Sequence, residues 1–284
     1  MRIRTMRSDN SSNLFQRNEE DNRDAPLQDW FLVAAPVALI LCCLLYIPVR
    51  IFDHQLFSLM NGLHSPVTDH FWLGLTTLPD GCVAGMILGA FLVVNPRVTA
   101  LGIFLLIVAG IAVQLTKAAI PAPRPAAIME TVHVIGPLLR AGSFPSGHAA
   151  TATAAGLAVA YYAPSRAAAA AVMGLALLTA LSRIFVGAHF PSDVIGGIAI
   201  SLAIFCLTLI LIMPVWEPKI PAQPVFSSRK FRFLYWVELV FTLFVMSVYA
   251  QYYADSAPVA LGVSAAVLIV LAYGRRSVRH GGAT

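Results

Sequence analysis

From Trp30 onward the chain is a succession of apolar runs, each near the roughly 20 residues that a helix needs to cross hydrocarbon, cut by short breaks of proline, glycine and charge. Backbone at bilayer depth has no water to bond to, so runs of this kind must satisfy their N–H and C=O groups internally, as helices. The runs read at 30–52, 72–95, 99–119, 147–163, 166–187, 193–215, 233–252 and 257–273. With 58% hydrophobic and 12% charged residues the chain is too apolar for an ordinary soluble domain. The expectation is an all-α fold, a polytopic transmembrane helical bundle of about eight spans.

Four regions are expected: a polar arm over 1–28, a six-span core over 29–216, a connector over 217–232 and a two-span hairpin with a basic tail over 233–284. The arm carries mixed charge and few large apolar side chains, the composition of a loosely held segment, and its length sets the first span apart from a short-leadered signal peptide. The stretch from Asp53 to Trp72 spaces Leu56, Leu59, Met60 and Leu63 as one stripe, which suits a short helix at the interface. An even number of spans puts both termini on one side. Fourteen of the 19 lysines and arginines then fall on that side, the exceptions being Arg50, Lys117, Arg124, Arg140 and Arg183. The positive-inside bias makes that side cytoplasmic and explains the net charge of +5 without nucleic acid as a partner. Cys42, Cys43, Cys82 and Cys206 have neither zinc-ligand nor disulfide spacing and read as small apolar residues.

Charge beside membrane-depth segments needs a reason, and three stretches supply one. The third span ends in Lys117, after which Pro121 and Pro123 stop the helix and set Arg124-Pro125 on an extended loop. The fourth begins at Pro145-Ser146-Gly147-His148, where a helix N-terminus offers free N–H groups to an anion. Between the fifth and sixth lies Ser182-Arg183 with His189 and, four residues on, Asp193, a carboxylate within reach of the imidazole. Taken singly, each has a plain reading: snorkelling cations, a proline-initiated helix, a satisfied histidine. Alternating spans, however, carry all three to the same non-cytoplasmic face. Cationic donors, a helix N-terminus, two histidines and an aspartate make a phosphoryl-transfer set that needs no metal and no cofactor.

The three stretches resemble the signature of the type 2 phosphatidic acid phosphatase (PAP2) superfamily: Lys-x6-Arg-Pro, Pro-Ser-Gly-His and Ser-Arg-x5-His-x3-Asp, matched at Lys117–Pro125, Pro145–His148 and Ser182–Asp193 with no departure. The resemblance covers about 30–216 and implies a six-helix PAP2-like core. It implies that His189 is the nucleophile forming a phosphohistidine, that Asp193 orients it and that His148 protonates the leaving oxygen. Lys117, Arg124 and Arg183, with Ser146 and the Gly147 N–H, are implied to hold the phosphate. His133 and Arg140, in the loop before the histidine-bearing helix, either line the entrance or are ordinary interfacial residues.

The resulting expectation is an integral membrane phosphatase, acting on a lipid phosphate at the outer face of the cytoplasmic membrane, with both termini in the cytoplasm and the bilayer as its medium. Substrates implied by the family are undecaprenyl pyrophosphate, phosphatidylglycerol phosphate, phosphatidic acid and the phosphates of lipid A. A lipid phosphotransferase sharing the phosphohistidine step, and more remotely an anionic-lipid transporter, remain open at this point. Glu238 reads as a packed or interfacial residue, and Asp80 as a helix-end or solvated carboxylate.

Overall fold

The computed structural model describes residues 27–225, 228–253 and 255–281; the expected polar arm lies outside them except for Leu27 and Gln28, which open the first helix. In order come α1 (Leu27–Ile51), α2 (Asp53–Asn61), α3 (Pro66–Thr77), α4 (Gly81–Ala90), α5 (Pro96–Ala119), α6 (Gly147–Tyr161), α7 (Arg166–Phe185), α8 (Pro191–Leu211), α9 (Arg229–Tyr252) and α10 (Ala257–Gly281). The fold is all-α and polytopic. Among the described residues five helices are long and apolar enough to cross a membrane, or six if α3 and α4 count as one.

Each expected span has a helix, with one correction. The second is not one rod: α3 starts at Pro66, and α3 and α4 meet at a 64° bend. The break falls at Leu78-Pro79-Asp80, where proline cannot continue the helical bonding and Asp80 starts α4 by accepting from the Cys82 N–H at 3.0 Å. The fourth, α6, has only 15 residues, about 22 Å at helical rise. It can be short because it is enclosed by α5, α7 and α8 and so does not line the lipid for its whole length. Its sequence, GHAATATAAGLAVAY, is mostly alanine and glycine, and small side chains let neighbouring backbones approach. A Cβ at Gly156 would stand 2.7 Å from that of Ala176 on α7, and one at Gly197 of α8 would stand 2.3 Å from the Ser146 carbonyl.

The main core lies around α6, where Phe31, Tyr161 and Phe205 meet edge to face with centroids 5.7–5.9 Å apart. A second cluster joins α4 to the α9–α10 hairpin through Val83, Met86, Tyr235, Val245 and Ala260. A smaller one, made by Phe57, Ala149, Ala180, Ile184, Phe190 and Val194, lies where α2, α6, α7 and α8 converge. The connector after α8 is tied to the start of α5, with Arg97 3.4 Å from Glu217 and its Nε donating to the Ile220 carbonyl. Glu238 packs buried against Gly89 and pairs with the Thr242 hydroxyl at 3.2 Å.

The short helix α2 departs from its expected role in one respect. Of the expected stripe, Leu59 and Leu63 are exposed and Leu56 and Met60 half-buried, while the other face, Asp53, Phe57 and Asn61, is buried against the loop between α7 and α8.

Candidate active site

The long loop after α5 folds back on itself. Pro123 and Ala141 form an isolated antiparallel bridge, with the Arg124 N–H on the Arg140 carbonyl and the Ser143 N–H on the Ala122 carbonyl, both at 3.0 Å. That bridge brings the cation at the end of α5 to the one in the loop. Lys117 Nζ donates to the Gly142 carbonyl at 2.5 Å, and Arg124 NH2 reaches the same oxygen at 3.4 Å. Arg124 also donates from Nε to Ala141 and from NH1 to the Ala188 carbonyl, the residue before His189. Arg183 places NH1 on the Thr76 hydroxyl at 2.5 Å, while its Nε is buried without a partner.

None of these three cations has a carboxylate partner within ion-pair distance among the described residues; every acceptor named is a neutral oxygen. An unmade bond on a buried charged donor costs on the order of 1–3 kcal/mol, which a bound anion would recover.

His189 follows Gly187, whose φ of +75° is the left-handed turn that glycine adopts freely; a Cβ there would come within 2.3 Å of the His133 carbonyl. The imidazole is buried. Its Nδ1 lies 3.6 Å from Asp193 Oδ2, just outside hydrogen-bond range, and has no hydrogen-bond partner among the described residues. The same Oδ2 already accepts from the Ser143 hydroxyl at 2.5 Å and the Phe190 N–H at 2.9 Å. Burial, and then Arg183, Arg124 and Lys117, hold the His189 pKa well below the usual histidine range, opposed only in part by an acceptor on the Ser143 backbone. The ring is therefore neutral near pH 7, with its lone pair available.

Across from it, α6 begins at Gly147 with Ser146 as N-cap, the serine hydroxyl accepting from the Ala149 N–H at 3.4 Å. The Ser146 N–H is itself held by the Asp193 carbonyl at 2.9 Å, so the first turns of α6 and α8 are fastened together. His148, the second residue of α6, sits in the field of Arg183, His189, Arg124 and Lys117. The structure thus gathers all eight sequence-predicted residues at one end of the bundle.

The family model described as the PAP2 superfamily matches residues 98–217, a segment that contains all eight of those residues. Over that segment, less than half of its length, the chain is similar to the PAP2 superfamily. One curated relative of the chain is the undecaprenyl-diphosphatase BcrC of Bacillus subtilis (strain 168), 29% identical over 157 residues that cover 54% of this chain and 80% of the relative. Among solved structures it is similar to LpxE of Aquifex aeolicus, with a TM-score of 0.52 and 28% identity, covering 55% of this chain and 95% of that one. The Bacillus relative is, by its name, a phosphoester hydrolase.

Several residues around the site were not legible as such. Ser143 on Asp193 and Thr76 on Arg183 are single hydroxyls in stretches with no pattern. Asn61 of α2 donates to the His133 and Phe185 carbonyls, at 2.8 and 3.1 Å, and accepts from the His133 N–H, which pins the entrance loop over Gly187. Asp53 binds Ser192, next to Asp193. The only signal for Asp53 and Asn61 was their spacing of eight, two helical turns on the polar side of the α2 stripe. Of the two entrance candidates, His133 is engaged structurally: Nε2 lies 2.8 Å from Asp69 and the ring stacks on His64 with centroids 4.0 Å apart. Arg140 is exposed and contributes its carbonyl to Arg124.

Below the site, toward mid-bundle, lies an apolar cavity of about 220 Å³ between α4, α6 and α7, walled by residues including Leu88, Phe91, Gly156, Val172 and Ala176. Thr179 borders it and accepts from the Ser182 hydroxyl through its carbonyl at 2.6 Å, one turn from Arg183.

Proposed function

We propose that this protein hydrolyses a terminal phosphate from a membrane lipid through a phosphohistidine on His189, at the extracytoplasmic face of the cytoplasmic membrane. The observation that carries the reading is the group of three cations, without carboxylate partners among the described residues, around a buried, neutral imidazole backed by a carboxylate. Nδ1 faces Asp193, which leaves Nε2 to attack. Its lone pair forms the P–N bond while the bond from phosphorus to the leaving oxygen breaks, and that oxygen takes a proton from His148. Water then attacks phosphorus, gives a proton back to His148, and the P–N pair returns to Nε2. Lys117, Arg124, Arg183 and the free Gly147 N–H stabilise the charge that spreads over the equatorial oxygens, with Ser146 holding the turn that presents that N–H. Asp193 keeps the Nδ1–H tautomer and stabilises the ring as it gains charge.

A lipid is favoured over a soluble ester because the cavity beginning one turn below Arg183 is apolar and lies between spans. The name of the Bacillus relative makes undecaprenyl diphosphate the first substrate to try. The test is phosphate release by purified protein in detergent from undecaprenyl pyrophosphate, phosphatidylglycerol phosphate, phosphatidic acid and lipid A, with His189→Ala beside it. Release from one lipid, absent in the variant, together with acid-labile phosphate on the wild-type protein alone, is the expected result. Undiminished acid-labile phosphate on His189→Ala would remove His189 from the nucleophile role.

A further inference from the structure

The segment that carries the nucleophile, Ile184 to Asp193, is braced along its length by α2, a helix outside the three motif stretches. Asn61 holds the Phe185 carbonyl at 3.1 Å. Phe57 and His54 enclose the Phe190 ring, with centroids 5.5 and 5.2 Å away. Asp53 closes the far end. Its carboxylate is only 2% exposed; Oδ1 accepts from the Ser192 N–H at 2.9 Å, and Oδ2 accepts from the Ser192 hydroxyl and from Arg50 NH1 at 2.8 Å.

Ser192 is the second residue of α8, so this is a helix cap delivered from another helix. The first residue, Pro191, has no N–H, and the N–H groups of Asp193 and Val194 both turn back to the Phe190 carbonyl, at 3.1 and 3.3 Å. The Ser192 N–H is the donor of that turn that needs an outside acceptor, and a carboxylate is the acceptor that also complements the positive end of the helix. Fixing Ser192 fixes the rotation of the turn on which Asp193 stands, and Asp193 Oδ2 is 3.6 Å from His189 Nδ1. An error of about 1 Å in such a pair is enough to cost around a hundredfold in rate.

We propose that Asp53 is a positioning residue for the reaction: held by Arg50, it caps α8 through Ser192 and thereby aims the Asp193 carboxylate at His189. The proposal deepens the phosphohistidine reading and rests on it for its kinetic consequence, but not for its structural one. Removing Asp53 leaves Lys117, Arg124 and Arg183 and their oxygens untouched, so anion binding persists while the orientation of the imidazole is lost.

The experiment compares wild type, Asp53→Ala, Asp53→Asn and His189→Ala in detergent, with two readouts. In lipid phosphate hydrolysis, Asp53→Ala is expected to lower kcat at least tenfold with KM and inhibition by inorganic phosphate within about twofold of wild type. Asp53→Asn, which keeps an oxygen for the Ser192 N–H, should recover part of that loss. Nitrogen-15 histidine spectra, with His189→Ala assigning the signal, read the ring directly: a single Nδ1–H tautomer in the wild type and a mixture in Asp53→Ala. An unchanged His189 tautomer in a folded Asp53→Ala protein overturns the proposal, as does a loss of phosphate affinity in step with kcat. If the wild type releases no phosphate, the hydrolytic reading fails and the tautomer measurement still decides the role of Asp53.

Discussion

A single side chain shows how the site divides its work. The neutral state of His189 comes from burial and three nearby cations rather than from a hydrogen bond, so it is sensitive to proton concentration in a definite direction. The unfolded imidazole binds a proton near its ordinary value of 6.5, whereas the folded one does so only at much lower pH. Between those values the unfolded state holds more protons, so stability falls as pH drops below about 6.5 and is unaffected above it. A thermal unfolding series in detergent from pH 8 to pH 5 should show that loss, reduced in His189→Asn. The acidic limb that His189 contributes to kcat/KM should likewise lie well below 6.5. Ser143 is the other residue-scale case. Its hydroxyl donates to Asp193 at 2.5 Å, and hydrogen bonds to charged groups are worth about 1.5–3 kcal/mol. Ser143→Ala should lower kcat roughly 10- to 100-fold with little change in KM, measured as phosphate release at saturating lipid.

At the scale of elements, positions are set by close backbone approach more than by side-chain bulk. Gly197 lets α8 press on the Ser146 carbonyl, and the Ser146 N–H bonds back to Asp193, so the two helix N-termini that carry His148 and Asp193 move as one piece. The bend between α3 and α4 does the converse, opening space where Leu78 and Pro79 border the apolar cavity. That cavity yields an element-scale prediction. Ala155→Phe, which fills it from α6, should raise KM for long-chain lipid phosphates several-fold while leaving hydrolysis of a short, water-soluble phosphate ester unchanged. Equal effects on both would mean that the chain of the lipid lies elsewhere. The sequence located these helices to within a few residues because apolar length is a strong signal. It missed the bend, since one proline among apolar residues does not say whether a span kinks.

For the whole molecule, charge asymmetry gives an orientation that can be tested. Fourteen of the 19 basic residues lie on the side of the termini under an even number of spans, and the site gathers three of the other five. Single cysteines placed at Arg140 and at Lys219 should behave oppositely in intact cells: the first labelled by a membrane-impermeant thiol reagent from outside, the second only after permeabilisation. The four natural cysteines, of which Cys43 and Cys82 are exposed, are replaced by alanine beforehand. Labelling of both positions from outside would contradict the orientation.

The sequence by itself determined that the chain is a helical membrane protein, and named Lys117, Arg124, Ser146, Gly147, His148, Arg183, His189 and Asp193 as one set. Both inferences rest on signals local in the chain: apolar runs of bilayer length and charged motifs at their ends. Only the tertiary structure decided what holds that set in place. Ser143 on Asp193, Thr76 on Arg183, Asn61 on Phe185 and Asp53 on Ser192 join residues from 50 to 139 positions apart. Their partners are often backbone groups, which every residue possesses, so nothing in the pattern of side chains marks them before the chain has folded.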